Sequence, residues 1–325
     1  MAGTPGMAGA PSKRPVSVVV PVHGHIELTA RCLASVPDWA EVVVVDDGSE
    51  EDVRSSLCHR FPGARFMRHA SQQGFATAAN TGLSAATGEV RVVLNSDARF
   101  TPGALEALVG AFGDQAVGIA GPRLVFPGGT HQISAAAFPT PLRVLAGSFA
   151  LNEAYRVLFP RGHFPLELGM ARLDHGADHD VDWVVGACIA IRDRCLGDTG
   201  GYDPGYPFYV EETDLCWRAR AAGWRVRYMA SAVVEHEGGA SSALPGAQAR
   251  SLLTGEARFM ARAYGEESLR RWWASRVLGS LVKGSAFGLL APFSKRMRRR
   301  AEWQWGALTH LGTMAIERFR DLRHR

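Results

Sequence analysis

The sequence predicts an α/β fold on a mostly parallel central sheet flanked by helices, and three observations carry that expectation. Short β-branched runs alternate with helix-length segments through the first 125 residues. The runs Val16–Val20 and Val42–Val45 are apolar at nearly every position, the pattern of strands buried on both faces. Polar stretches stand where such runs stop, at His23-Gly24-His25, Asp46-Asp47-Gly48-Ser49 and Asn95-Ser96-Asp97. Ligands of open α/β sheets sit beyond the carboxyl ends of the strands, so these stretches mark a binding edge.

In chain order, the first strand runs over 16–20 and stops at Pro21. A helix over 25–36 follows, with Ile26, Leu28, Cys32 and Leu33 at helical spacing. Then come strand 42–45, helix 51–60, strand 64–68, helix 74–86, strand 90–94, helix 102–112 and a strand over 116–125. Right-handed crossovers would join the parallel strands. Residues 126–180 lose periodicity and are rich in Gly, Pro and His, so an irregular, variable region is expected. Order returns with one strand over 181–191, a helix over 211–222, strands at 225–229 and 232–235, and a helix around 246–264. The expected organisation is a disordered leader over 1–14, a globular unit over 15–268 and a basic amphipathic helical tail over 269–325.

Composition narrows the function classes. Hydrophobic content of 46% and charged content of 21% suit a soluble globular protein. The five cysteines are scattered with no Cys-x-x-Cys pair, which argues against a disulfide framework or zinc site and fits a reducing compartment. The opening MAGTPGMAGAPSKRP lacks an apolar stretch and does not read as a signal peptide. Neither a Walker loop nor GxGxxG is present. Residues 270–325 hold thirteen Lys/Arg against three acids, a net of +10, which leaves −6 for the rest. A basic tail of this kind seeks an anionic surface.

The stretch Pro207–Gly238 concentrates candidate chemistry. Glu211, Glu212 and Asp214 crowd the start of a helix, and a lone His236 follows. Acidic side chains suit the positive end of a helix, so Asp214 or Thr213 is expected to cap it. One carboxylate would alternatively point into a cleft as a general base.

Four blocks in fixed order extend that reading: VSVVVPVHG (16–24), EVVVVDDGSEE (41–51), GFATAANTGLSAATGEVRVVLNSDARFTPGAL (74–105) and the segment from VDWVVGACIAIRD to VVEHEGGAS (181–242). They resemble an inverting family 2 glycosyltransferase with the GT-A nucleotide-sugar-binding fold, in particular the bacterial rhamnosyltransferase-like branch that builds polysaccharides. The resemblance spans roughly 16–265. It implies a nucleotide diphosphate-sugar donor, a Mg²⁺ or Mn²⁺ ion, and a hydroxyl acceptor on a glycan, a lipid-linked sugar or a small molecule. Asn95-Ser96-Asp97 matches the family's metal-binding Asp-x-Asp, with an amide in place of the first acid, and His236 matches a further metal ligand. Asp47 matches the residue that reads the base, Pro21 and Val22 line the base and ribose, and Asn80 lies near the diphosphate. Glu212 matches the general base, with Glu211 as the competing candidate, while Asp214 keeps the capping role. Trp183, Gly186 and Ala187 border the acceptor side.

In the tail, residues 272–293 are apolar but interrupted by Arg276 and Lys283. A bilayer span needs about 20 predominantly apolar residues. An interfacial amphipathic helix is expected instead, with Trp272-Trp273 and the cluster Lys295, Arg296, Arg298, Arg299 and Arg300 at the headgroups. The competing expectation is a helix pair packed on the catalytic unit. A cytoplasmic protein, peripheral on the inner membrane face, follows; nucleic acid is not expected as a partner, since no recognition motif is present. A nucleotidyltransferase on a similar sheet, or a non-catalytic relative binding sugar nucleotides or membranes, are the rival readings.

Overall fold

A computed structural model describes residues 15–149, 176–238 and 245–323. The leader over 1–14 and most of the second half of the variable region lie outside these residues. Chain order begins with β1 (Val16–Val22), α1 (Ile26–Ala34), β2 (Glu41–Asp46), α2 (Val53–Leu57), β3 (Arg65–Arg68), α3 (Phe75–Ala85) and β4 (Val90–Leu94). It continues with β5 (Ala98–Phe100), α4 (Ala104–Gly110), β6 (Val117–Val125), β7 (Ala135–Ala136) and α5 (Pro141–Ser148). Then follow β8 (His179–Val181), β9 (Trp183–Val184), β10 (Cys188–Arg192), α6 (Asp193–Thr199), α7 (Glu211–Ala221), β11 (Arg225–His236), α8 (Pro245–Leu290) and α9 (Lys295–Arg323).

The central sheet has the order β3-β2-β1-β4-β10-β6-β11-β5, with β8 also paired to β11. The β1–β2, β2–β3, β1–β4 and β6–β11 pairs are parallel, and β10 runs antiparallel between β4 and β6. Side chains alternate across it, so Val19, Val43 and Val45 face one core layer while Val18, Val20 and Val44 face the other. Helices α3 and α7 cover the first face; α1, α2 and α4 cover the second. Helix α3 lies so close to β1 that a Cβ on Gly82 would stand 2.2 Å from Val19 Cγ1, and only glycine fits there.

Several boundaries differ from the sequence expectation. Strand β1 continues through Pro21 to Val22. Its pairing with β4 ends at Val19, and Val22 C=O faces β2, where it accepts from Asp47 N–H. The missing N–H of Pro21 therefore faces the side where no partner remains. The apolar run 181–191 is divided among β8, β9 and β10 by Asp182 and the Val185-Gly186-Ala187 turn. The two strands expected at 225–229 and 232–235 are one, β11, with a register shift between Met229 and Val233. Residues 126–180 are not wholly irregular, since β7, α5 and the start of β8 lie within them.

The tail is part of the fold. Helix α8 is broken at Gly265 (φ 79°, ψ 177°) and packs on α5 and α9. Trp272 is 1% exposed and donates through Nε1 to Glu256, so it does not reach headgroups; Trp273 donates to Leu311 C=O. Trp272, Ala307 and Leu311 share one core cluster with the sheet.

Candidate active site

The parallel strands β2, β1 and β4 are neighbours, so their carboxyl ends bring Asp47, His23, His25 and Asn95 to one edge. A cavity of about 520 Å³ opens there, lined by Pro21, Val22, Asp47, Asn95 and Ser96 together with Phe75 and Phe208. Of the donor residues expected from sequence, Pro21, Val22, Asp47, Asn95 and Ser96 are thus gathered in one place, while Asp97 and Asn80 do not line this cavity. The Asn80 amide donates to Tyr202 C=O at 2.7 Å and accepts from Tyr202 N–H at 2.9 Å, which fastens α3 to the loop before α7. Asp47 is 4% exposed, and its carboxylate already accepts from the N–H groups of Gln73 and Gly74 (2.9 and 2.8 Å) and contacts His69 Nδ1 at 2.8 Å. It shapes the 69–74 loop that walls the cavity as well as facing into it.

A second cavity, of about 130 Å³, shares Phe75, Asn95, Phe208 and Tyr209 with the first and adds Asp97, Gly186, Ala187, Glu211, Glu212 and His236. Backbone bonds assemble this junction: Asn95 N–H donates to Ala187 C=O at 2.9 Å, and Glu237 N–H to Asp97 C=O at 3.1 Å. Trp183 does not line it; its indole donates to Ala137 C=O and holds β7 against β9.

Helix α7 starts at Glu211, as the sequence predicts, so Thr213 and Asp214 lie inside it and neither is its cap. The position before the helix is Val210, with φ 73° and no side-chain cap. Tyr209 has φ 68°. Two successive left-handed non-glycine residues, one β-branched, are strained, and such strain persists where surrounding structure holds it. Asp214, one turn into the helix, is fully buried. It accepts from Arg218 Nε at 2.8 Å and Tyr206 O–H at 3.1 Å, with Arg262 of α8 at 3.5 Å. It is an anchor of the fold beneath the site.

Glu211 and Glu212 therefore turn into the smaller cavity. The Oε2 atoms of both are buried without a hydrogen-bond partner. Burial raises the Glu212 pKa above the ordinary carboxylate value, opposed by N–H groups of Glu212, Gly186, Thr213 and Val210. Burial raises Glu211 well above it, the adjacent Glu212 charge adds to the rise, and only its own N–H opposes. Burial thus favours the protonated form of both carboxyls, with more backbone N–H groups holding the charged form of Glu212 than that of Glu211.

Asn95 Oδ1 and Asp97 Oδ1 are likewise buried without partners. His236 Nε2 lies 3.4 Å from Asp97 Oδ1. Among the described residues no group of three His, Cys, Asp or Glu is arranged to hold a metal ion. The two orphaned oxygens and one imidazole nitrogen are nonetheless a donor set that suits a hard cation whose remaining ligands come from phosphate.

A nucleotide-sugar transferase architecture of the GT-A kind is what the sheet and its edge define. The structure superposes with a TM-score of 0.56 on the mannosyltransferase PcManGT from Pyrobaculum calidifontis, solved with GDP-Man and Mn²⁺, at 18% identity over 93% of this chain and 87% of that one. Residues 17–166 match the glycosyl transferase family 2 model, so the chain carries a domain of that family. It is 33% identical over 231 residues, 70% of its length, to the pre-mycofactocin glycosyltransferase of Mycobacterium tuberculosis, and spans only 43% of that protein. It is 29% identical over 229 residues, 65% of its length, to the N-acetylglucosaminyl-diphospho-decaprenol L-rhamnosyltransferase of the same species, spanning 71% of it.

Proposed function

We propose that this chain transfers a sugar from a nucleotide diphosphate-sugar to an acceptor hydroxyl with inversion at the anomeric carbon. The observation that carries this is the meeting of two cavities at Asn95, with one buried carboxylate oxygen of Glu212, Oε2, unpartnered in the smaller one. The base and ribose would lie against Pro21, Val22 and Asp47, and the diphosphate near Asn95, Ser96 and Asp97. Glu212 accepts the hydroxyl proton as the oxygen attacks, and the nucleoside diphosphate leaves with the bonding pair. Glu211 stands beside Glu212 as the competing base, its pKa raised by burial and by the Glu212 charge. Asn80 and Asp214 act as supports, and the Gly186-Ala187 turn walls the acceptor.

Asp97, Asn95 and His236 would hold Mg²⁺ or Mn²⁺, which when bound neutralises charge developing on the diphosphate. The relatives' names support a lipid-linked sugar or a small molecule as acceptor, with a free glycan as the third option.

The test incubates the purified full chain with nucleotide sugars and Mn²⁺. Release of nucleoside diphosphate and free sugar from one donor is expected. A nucleotidyltransferase would instead consume a nucleoside triphosphate and release pyrophosphate, and a non-catalytic protein would release neither.

A second feature favours peripheral membrane docking. Leu278, Leu281, Val282 and Leu289 form an exposed stripe on α8, Leu290 and Phe293 are exposed beyond it, and Lys295, Arg296, Arg298 and Arg299 are exposed beside them. Apolar side chains bordered by cations suit an anionic interface. Among the described residues no helix is long and apolar enough to cross a membrane.

A further inference from the structure

Gln132 follows β6 in a tight hairpin and stands beside His236 at the end of β11. Its side-chain Nε2 donates to the His236 backbone C=O at 2.5 Å, and its Oε1 lies 2.9 Å from His236 Nδ1. A carbonyl oxygen only accepts, so the first contact fixes which end of the amide is nitrogen. Oε1 therefore faces the ring, and the second contact is a hydrogen bond only if Nδ1 carries the proton. In the neutral ring the lone pair is then on Nε2. That atom lies 3.4 Å from Asp97 Oδ1, which has no hydrogen-bond partner. Two acceptors facing one another across this gap match a cation better than they match each other.

We infer that Gln132 is a positioning residue of the cation site: it holds His236 in the Nδ1–H tautomer and so presents Nε2 to a divalent ion. The inference rests on the metal reading proposed above. Gln132 is itself well fixed, at 9% exposure, with its N–H donating to Leu124 C=O at 2.9 Å and its C=O accepting from Ser134 Oγ at 2.9 Å. Pinning the hairpin requires only the bond to the His236 carbonyl. The bond to Nδ1 is separate, and it governs the ring. Partners of this kind orient ligating histidines, and their loss typically lowers metal affinity about 10–100-fold.

The experiment uses the full chain with ¹⁵N-labelled histidine rings, free of metal at alkaline pH, and reads the tautomer from two-bond ¹H–¹⁵N correlations. The His236 signal is assigned by its loss in His236→Asn. The expected wild-type pattern is a protonated Nδ1 and an unprotonated Nε2. Gln132→Leu should move the proton to Nε2. Gln132→Glu, which keeps an acceptor for Nδ1–H and loses the donor to the carbonyl, should retain the wild-type tautomer. In parallel, Mn²⁺ affinity is measured by water proton relaxation in the presence of UDP, GDP or dTDP. Gln132→Leu should weaken it by about 10–100-fold. A wild-type ring protonated at Nε2 overturns the inference. So does Gln132→Leu with unchanged tautomer and affinity while Asp97→Asn and His236→Asn lose Mn²⁺; the metal reading then stands without Gln132. If those two variants also bind Mn²⁺ normally, the metal reading fails and takes the inference with it.

Discussion

Replacing Asp214 distinguishes an anchor from a helix cap by magnitude. Its carboxylate is fully buried between Arg218 and Tyr206, and Arg218 reaches on to Thr199 C=O. Asp214→Ala would leave the Arg218 guanidinium, 14% exposed, without its counter-charge. Breaking a buried pair from one side costs about 3–5 kcal/mol. A loss of 1 kcal/mol lowers Tm by roughly 2–4 °C in a domain of about 150–250 residues, so a fall of roughly 6–20 °C is expected. Asp214→Asn keeps the shape and one acceptor but removes the charge, and should cost about 1–3 kcal/mol. A cap would behave otherwise: alanine would cost about 0.5–2 kcal/mol, and asparagine almost nothing. Thermal and urea unfolding of the three proteins decide the matter. A neutral asparagine variant together with an alanine variant losing under about 2 kcal/mol would refute the anchor.

Three further outcomes are expected. Glu211→Gln should stabilise the fold at neutral pH, because the raised pKa means the folded chain holds a proton that the unfolded chain gives up; the wild type loses this stability as pH rises from the ordinary carboxylate value through the raised one. The variant's gain should therefore vanish near pH 4 and grow by about 1.4 kcal/mol per unit of elevation crossed, as read by urea unfolding at a series of pH values. Asp97→Asn should abolish Mn²⁺-dependent donor binding in calorimetry while Tm is kept; undiminished Mn²⁺-dependent binding would remove Asp97 from the cation site. Leu281→Ser combined with Val282→Ser should weaken co-sedimentation with anionic vesicles by about tenfold or more, since each buried methylene contributes about 0.8 kcal/mol; equal sedimentation would end the membrane reading.

The parts of the fold legible in the sequence were those where one physical demand dominates. Strands buried on both faces must be apolar throughout, so β1, β2 and β4 stand out, and polar residues at their ends mark the site edge. The same rule misread 181–191, where β9 and β10 are separated by a turn as apolar as the strands. It also divided β11, because a register shift leaves no compositional mark when the chain stays extended. The helix start at 211 was legible but its cap was not, because Val210 at its head carries no capping side chain and because Asp214 answers to Arg218 and Arg262. Pairings such as Asn80 with Tyr202 and Gln132 with His236, 122 and 104 positions apart, have no local signal. Trp272 looked interfacial beside Trp273, yet only the packing of α8 on α9 decides which of the two is buried.

The central claim is that Glu212 takes the proton of the acceptor hydroxyl. Glu212→Gln preserves shape and hydrogen-bonding capacity but cannot accept that proton. Single-turnover transfer, measured beside calorimetric donor binding, should fall by about 10²–10⁴-fold with donor affinity nearly unchanged, the pattern of an interaction made in the transition state. Near-normal transfer by Glu212→Gln with an inactive Glu211→Gln would exchange the roles of the pair, and near-normal transfer by both would contradict the account.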